Sequence, residues 1–221
     1  MTVHPRSLLV AMAGCALVAC SSAEEVSTTD PTRRSLATTA PASTATTATA
    51  ATAATTTATE PRTGACAPDE SEPEKPPSHV DVGTSIHYTG VPPVSGRHSA
   101  QWADITKTLY VSADRPELGE LVHSQEHGWT IVWYDATVSP ADLEDVAAEI
   151  ESVPKVVIVP WTAEDGASFP AGKHVAFTHW EATGAGTGTE WRKFCAAANA
   201  DSILDFAQRH PYTDAHEPSA P

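Results

Sequence analysis

Polar and apolar positions sort the second half of the chain into alternating helical and extended stretches. Leu118, Leu121, Val122 and Gln125 recur at the spacing of one helix face. Asp114 stands as an N-cap before them, with Pro116 in the first turn, Glu117 three residues past the cap, and Gly128 as terminator. "WTIVWYD" follows as a buried strand. Ser139-Pro140 then opens a second helix whose Leu143, Val146, Ala147 and Ile150 share a face, ended by Pro154. "KVVIVPW" is apolar throughout, so it is expected centrally in a sheet, completing a right-handed β-α-β crossover. "GKHVAFTHWEATGAGTGTEWRKFC" reads as a hairpin around a Gly-rich tip whose glycine spacing does not suit a phosphate loop. Asp201 is expected to cap a last helix packing Ile203, Leu204 and Ala207, stopped by Pro211. Before all this, "SIHYTG" can form a short strand, and "GVPPVSGRHSAQW" is irregular because Pro92, Pro93 and Gly96 interrupt ladders and helices. No internal repeat is present. The order predicts an α+β fold: one small domain, with a mixed sheet, a β-α-β unit, a hairpin and packed helices.

The first half has a different character. Residues 1–20 carry Arg6, an apolar run from Leu8 to Val18 and a small residue before Cys20, the layout of a secretory signal. The run is too short to span a bilayer as a mature helix. Leu17-Val18-Ala19-Cys20 resembles a bacterial lipoprotein signal, which would make Cys20 the lipid-bearing first mature residue; Cys15 fits that pattern less well. An ordinary cleaved signal is the alternative. Residues 21–63 are dominated by Thr and Ala, cannot bury enough surface to offset their ordering entropy, and are expected to be a disordered tether. Its extended reach is on the order of 140 Å. The folded, extracytoplasmic part is then expected at 64–217, with the membrane as partner through lipid on Cys20.

Composition refines this picture in three ways. Cys66 and Cys195 are the only cysteines of the folded part, and outside the cytoplasm such a pair is expected to form a disulfide, two buried free thiols being the alternative. A formal net charge of -15 argues against nucleic acid as a partner and against electrostatic adhesion to an anionic membrane. Ten histidines, nine of them after the signal, invite a metal or pH role. The six tryptophans are read mainly as core.

"HVDVGTSIHYTGVPPVSGRHSAQW", "LVHSQEHGWTIVWYD" and "FCAAANADSILDFAQRHPYTDAHEP" together closely resemble domain of unknown function 3105, a bacterial family common as lipoproteins or membrane-anchored proteins in actinobacteria. The motifs are His79-Val80, Pro92 to His98 in the form Pro-Pro-x-Ser-Gly-x-His, and Val122 to Gly128 in the form Val-His-x-x-Glu-His-Gly. The resemblance covers about His79 to Glu217. The chain departs from it at Gln125, where Leu is usual, and at His179-Trp180-Glu181, where Ala-Trp-Gly is usual, so no role for His179 is implied. The family brings no activity with it.

His79, His98, His123 and His127 are thus the histidines within motifs. In a helix, His123 and His127 lie on one face with Cβ atoms about 6 Å apart, close enough to chelate one ion. They fall opposite the Leu118, Val122, Gln125 stripe and are therefore not expected to be core. Three readings follow. In the first, His123 and His127, completed by His98 or His79, bind Zn²⁺ or Cu²⁺, for which imidazole is suited. In the second, the histidines only hydrogen-bond the "PPVSGRH" loop to the helix, and the domain supports or binds another envelope protein. In the third, His-x-x-Glu-His makes a zinc-dependent hydrolase with Glu126 as base. A third ligand for that centre is not evident, and Glu126 points about 60 to 100° away from the two rings. The sequence favours a non-enzymatic envelope module with a candidate His-rich divalent metal site, no cofactor being certain.

Overall fold

A computed structural model describes residues 65–221. The signal, Cys20 and the Thr/Ala-rich tether lie outside the described residues. Seven strands and three α-helices follow in the order β1 (Glu70–Pro73), β2 (Ser78–Val80), β3 (Arg97–Ser99), α1 (Leu118–Glu126), β4 (Thr130–Tyr134), α2 (Glu144–Ile150), β5 (Val156–Pro160), β6 (Val175–Gly184), β7 (Thr187–Cys195) and α3 (Ala200–Arg209). Five strands form a mixed sheet in the order β1-β7-β6-β4-β5, with β4 and β5 parallel and the other pairs antiparallel. β2 and β3 form a separate parallel ribbon. The fold is the expected α+β domain with its β-α-β unit and hairpin.

The uniform apolarity of β4 has a direct cause. Ile131 and Trp133 face a core shared with Leu121 of α1, while Val132 and Tyr134 face one built with Ile150 of α2 and Ile203 and Phe206 of α3. Both faces of the strand are covered, so every position is buried. β5 is equally buried but sits at the sheet edge, not centrally as its sequence suggested. Its outer side is covered by the chain at 108–110: Ile158 N donates to the Thr108 carbonyl (2.7 Å) and Tyr110 N to the Ile158 carbonyl (2.9 Å). That cover satisfies an edge that would otherwise be open to pairing.

Other local expectations are corrected. "SIHYTG" forms no strand. α1 begins at Leu118 behind Glu117, because the Asp114 side chain accepts instead from Val111 N, its own turn, and pairs with Lys107. α3 is capped by Asn199, whose side chain accepts from Ser202 N, and Asp201 falls in the first turn. Ser139 does cap its segment, accepting from Ala141 N, but the first turn, Pro140–Leu143, is 3₁₀ before α2 proper.

Cys66 and Cys195 are joined, closing a loop across a sequence separation of 129 residues. In the chain-entropy account a loop of that length stabilises by about 5 kcal/mol. Packing also extends past Glu217: Lys155 Nζ donates to the carbonyls of His127, Pro218 and Ala220.

Gly128 ends α1 at φ +97°, and a Cβ there would lie 2.5 Å from the Tyr212 carbonyl oxygen. Gly128→Ala combines left-handed backbone strain with a clash against main chain, so we expect a loss on the order of 2 kcal/mol, or about 6 °C in melting temperature. Thermal unfolding followed by circular dichroism checks this.

Candidate metal centre

The ribbon and α1 each contribute two polar side chains to one point. In the parallel register of β2 and β3, His79 lies directly beside His98. From α1 come His123 and Glu126, three residues apart and hence on adjoining positions of one helix face. One ligating atom from each of His79, His98, His123 and Glu126 can be chosen so that all lie within 4.8 Å of one another. A four-coordinate zinc with bonds of about 2.0–2.1 Å sets its donors roughly 3.4 Å apart, so small side-chain rotations close this set around an ion.

Backbone carbonyls fix which nitrogens face inward. His98 Nδ1–H donates to the Gly96 carbonyl (2.8 Å) and His123 Nδ1–H to the Ser99 carbonyl (2.7 Å). A carbonyl only accepts, so Nδ1 carries a proton in both rings, and in the neutral tautomer Nε2 holds the lone pair that can ligate. Such outer hydrogen bonds are what hold metal-ligating imidazoles in orientation. His98 Nε2 and Glu126 Oε2 are 3.1 Å apart, yet both are buried without a hydrogen bond. A shared cation would satisfy both atoms at once.

The electrostatics suit ligation. For Glu126, burial works to raise the carboxyl, but the close imidazole of His98, then those of His123 and His79, outweigh it and hold the group below its ordinary value. His123 is pushed down to about 4, chiefly by burial, against the Ser99 carbonyl and with help from the His98, His127 and His79 rings. A carboxylate and a neutral imidazole are the ligating forms.

Two expectations change here. His123 and His127 are both buried, not on an exposed face, because the ribbon and the C-terminal residues cover the side of α1 away from the sheet. His127 stands beside the cluster, its ring 4.6 Å from that of His123, but both its nitrogens are directed to the C-terminal residues: Nδ1–H donates to the Pro221 main-chain oxygen (3.0 Å) and Nε2 lies 3.5 Å from Glu217 Oε2. Its place is taken by Glu126, which the sequence had put forward only as a hydrolytic base. The signal for Glu126 was present as an i, i+3 spacing from His123, but i+3 and i+4 lie about 60° and 40° from the reference position, and sequence spacing alone does not choose between them.

The Pro-Pro-x-Ser-Gly-x-His motif explains how the ribbon is held. Gln125 Nε2 donates to the Pro93 carbonyl (3.1 Å), Arg192 Nε to the Pro92 carbonyl (2.9 Å), and Ser95 Oγ to Glu190 Oε1 (2.5 Å). Gly96 adopts φ +101° with Lys75 Cβ 3.1 Å from where its Cβ would be. The loop is therefore clamped mainly by Gln125, Arg192 and Glu190, and the histidines contribute only through Nδ1.

The remaining histidines do other things. His174 pairs with Asp135 and His216 with Glu74. His179 is fully buried with Nε2 unpartnered, its Nδ1 3.3 Å from the Thr130 hydroxyl and its ring 6.4 Å from that of His210. Burial first, then His210, pushes His179 down to about 3. His210, set among Asp69, Glu181, Arg209, Lys193 and Asp205, is pushed down to about 4, mainly by burial. Both folded values lie below the ordinary 6.5. The unfolded chain therefore takes up protons first as pH falls, and the stability present above 6.5 drains between there and about 4. His123 acts in the same direction. We expect the melting temperature, read in the presence of a chelator, to fall between pH 7.5 and 5, and His179→Phe to flatten that slope.

No curated protein and no solved structure matches the chain. The sequence pattern of the family described as protein of unknown function, DUF3105, matches residues 79–219. It spans the ribbon from His79, the helix that faces it and four of the five strands of the sheet, and takes in all four residues of the cluster. On that match the chain belongs to the DUF3105 family.

Proposed function

We propose that the domain binds one divalent cation of the Zn²⁺ or Cu²⁺ class between His79, His98, His123 and Glu126, and works as a non-enzymatic metal-binding module of the cell envelope. The observation that carries this reading is the convergence of four donors with His98 Nε2 and Glu126 Oε2 buried and unpartnered. Three imidazoles and a carboxylate are borderline donors, suited to these two ions over Ca²⁺ or Mg²⁺. The envelope location is supported by the disulfide, which persists in oxidising compartments, and by the signal-like start of the sequence with Cys20 as the lipid-bearing residue.

The hydrolytic alternative has less support. A catalytic zinc keeps three protein ligands and an open position, with a separate base for the water. Here Glu126 stands among the donors, and His127 is engaged elsewhere. Hydrogen bonding by the histidines is real at Nδ1 and leaves Nε2 for the ion, so the supporting role and the binding role coexist.

Equilibrium dialysis of the untagged full chain against Zn²⁺, and separately Cu²⁺, tests the proposal. One ion per chain is expected for the native sequence. Glu126→Gln, which keeps side-chain volume, and the His98→Ala/His123→Ala pair should retain far less at the same free concentration. If the native chain holds no more than these variants, the site is not a metal site.

A further inference from the structure

The four donors are not equally held, and the difference is informative. His98 is fully buried and His123 nearly so, each with Nδ1 anchored to a carbonyl, and Glu126 is buried on the helix. His79 is the exception. Its side chain is 54% exposed, its ring makes no hydrogen bond among the described residues, and its nearest charged partner is Glu126 Oε2 at 3.9 Å. It rides on β2, a three-residue strand paired only with β3. An ion whose role is to hold a fold is closed in by ligands that are all locked. This arrangement instead gives a buried three-donor cup of His98, His123 and Glu126, with one half-exposed imidazole, resting against the rings of His98 and His123 but not hydrogen-bonded, between the ion and solvent.

We propose that the ion is exchangeable cargo, loaded and unloaded past His79 by ligand exchange with an incoming nitrogen or oxygen donor of the supplier or acceptor. This rests on the metal-site reading above. In the exchange the bond from the ion to His79 breaks as the bond to the incoming donor forms, through a five-coordinate arrangement open to zinc. The ion keeps its charge and no electron moves. The acceptor then draws the ion from the remaining three ligands. The other three donors cannot lead this exchange, because their rings or carboxylate would have to leave buried positions.

Stopped-flow transfer of Zn²⁺ from the loaded, untagged full chain to a chromogenic pyridylazo chelator reads the route. Exchange at His79 makes the transfer rate rise in proportion to chelator concentration, because the chelator joins the complex before the ion leaves. His79→Ala opens that position in advance, so it should still bind one ion, with affinity lowered roughly 10- to 100-fold, and give it up at least tenfold faster at a given chelator concentration. A rate independent of chelator, or a His79→Ala protein that unloads no faster than the native chain, overturns the proposal while leaving the metal site standing. Absence of bound zinc at the outset overturns both, and dialysis shows this before any kinetic trace is taken.

Discussion

Replacing His123 with alanine is expected to weaken zinc binding roughly a hundredfold or more, whereas His127→Ala, one helical turn further on, should leave affinity within about threefold. Binding free energies of structural zinc sites run to about 10–16 kcal/mol, so one ligand in four accounts for roughly 3 kcal/mol. His127 loses no bond to the ion, since both its ring nitrogens face the C-terminal residues. It does lose the hydrogen bond to Pro221 and buried packing, so His127→Ala should melt a few degrees lower without its zinc affinity following. The native chain at a zinc concentration a hundred times Kd should gain about 2.7 kcal/mol, near 8 °C, and the His123 variant at the same concentration almost none of it. Calorimetric titration paired with thermal melts separates the two residues. Equal losses of affinity at His123 and His127 would return the site to the i, i+4 pair and remove Glu126 from it.

That contrast marks where sequence reading stops. Long apolar runs and the hairpin were legible because their burial is set by composition: β4, β5, β6 and β7 lie where the pattern put them. The central place given to β5 was not, because apolarity on both faces reports burial and not sheet order, and the cover came from residues 108–110, which have no strand pattern of their own. Asp114 and Asp201 were plausible caps, but each had a competing local partner or neighbour: a turn at Val111 for the one, Asn199 two positions earlier for the other. Three of the four cluster residues were named from their motifs. What fixed the fourth was the direction from which the ribbon meets α1, a long-range fact that brings His98 to Glu126 and leaves His127 to the C-terminal tail.

The placing of the ribbon depends on a side chain that belongs to no motif. Glu190 is fully buried on β7 and accepts from Ser95 Oγ at 2.5 Å, from Lys75 Nζ at 2.9 Å and from Arg192 Nη2 at 2.6 Å. Burial tends to raise its carboxyl, but Ser95, Lys75 and Arg192 together hold it below the ordinary value, so it stays ionised. Ser95 precedes β3 and Lys75 precedes β2, and the Lys75 backbone N–H itself donates to Ser95 Oγ (2.8 Å). One carboxylate therefore ties both approaches to the ribbon to the main sheet, and with them the positions of His98 and His79. Glu190→Ala leaves the buried Arg192 guanidinium without its closest partner. We expect a loss of about 3–5 kcal/mol, near 10 °C or more in melting temperature. Lys75→Ala removes only an arm whose side chain is 42% exposed, and should lose about 1 kcal/mol or less. If Glu190 sets the ribbon, the surviving folded fraction of Glu190→Ala at low temperature should also bind zinc at least tenfold more weakly, although residue 190 touches none of the four donors. A variant that loses stability but binds zinc with native affinity would show that the ribbon is positioned by its own contacts with α1, through Gln125 and His123, and not by the sheet.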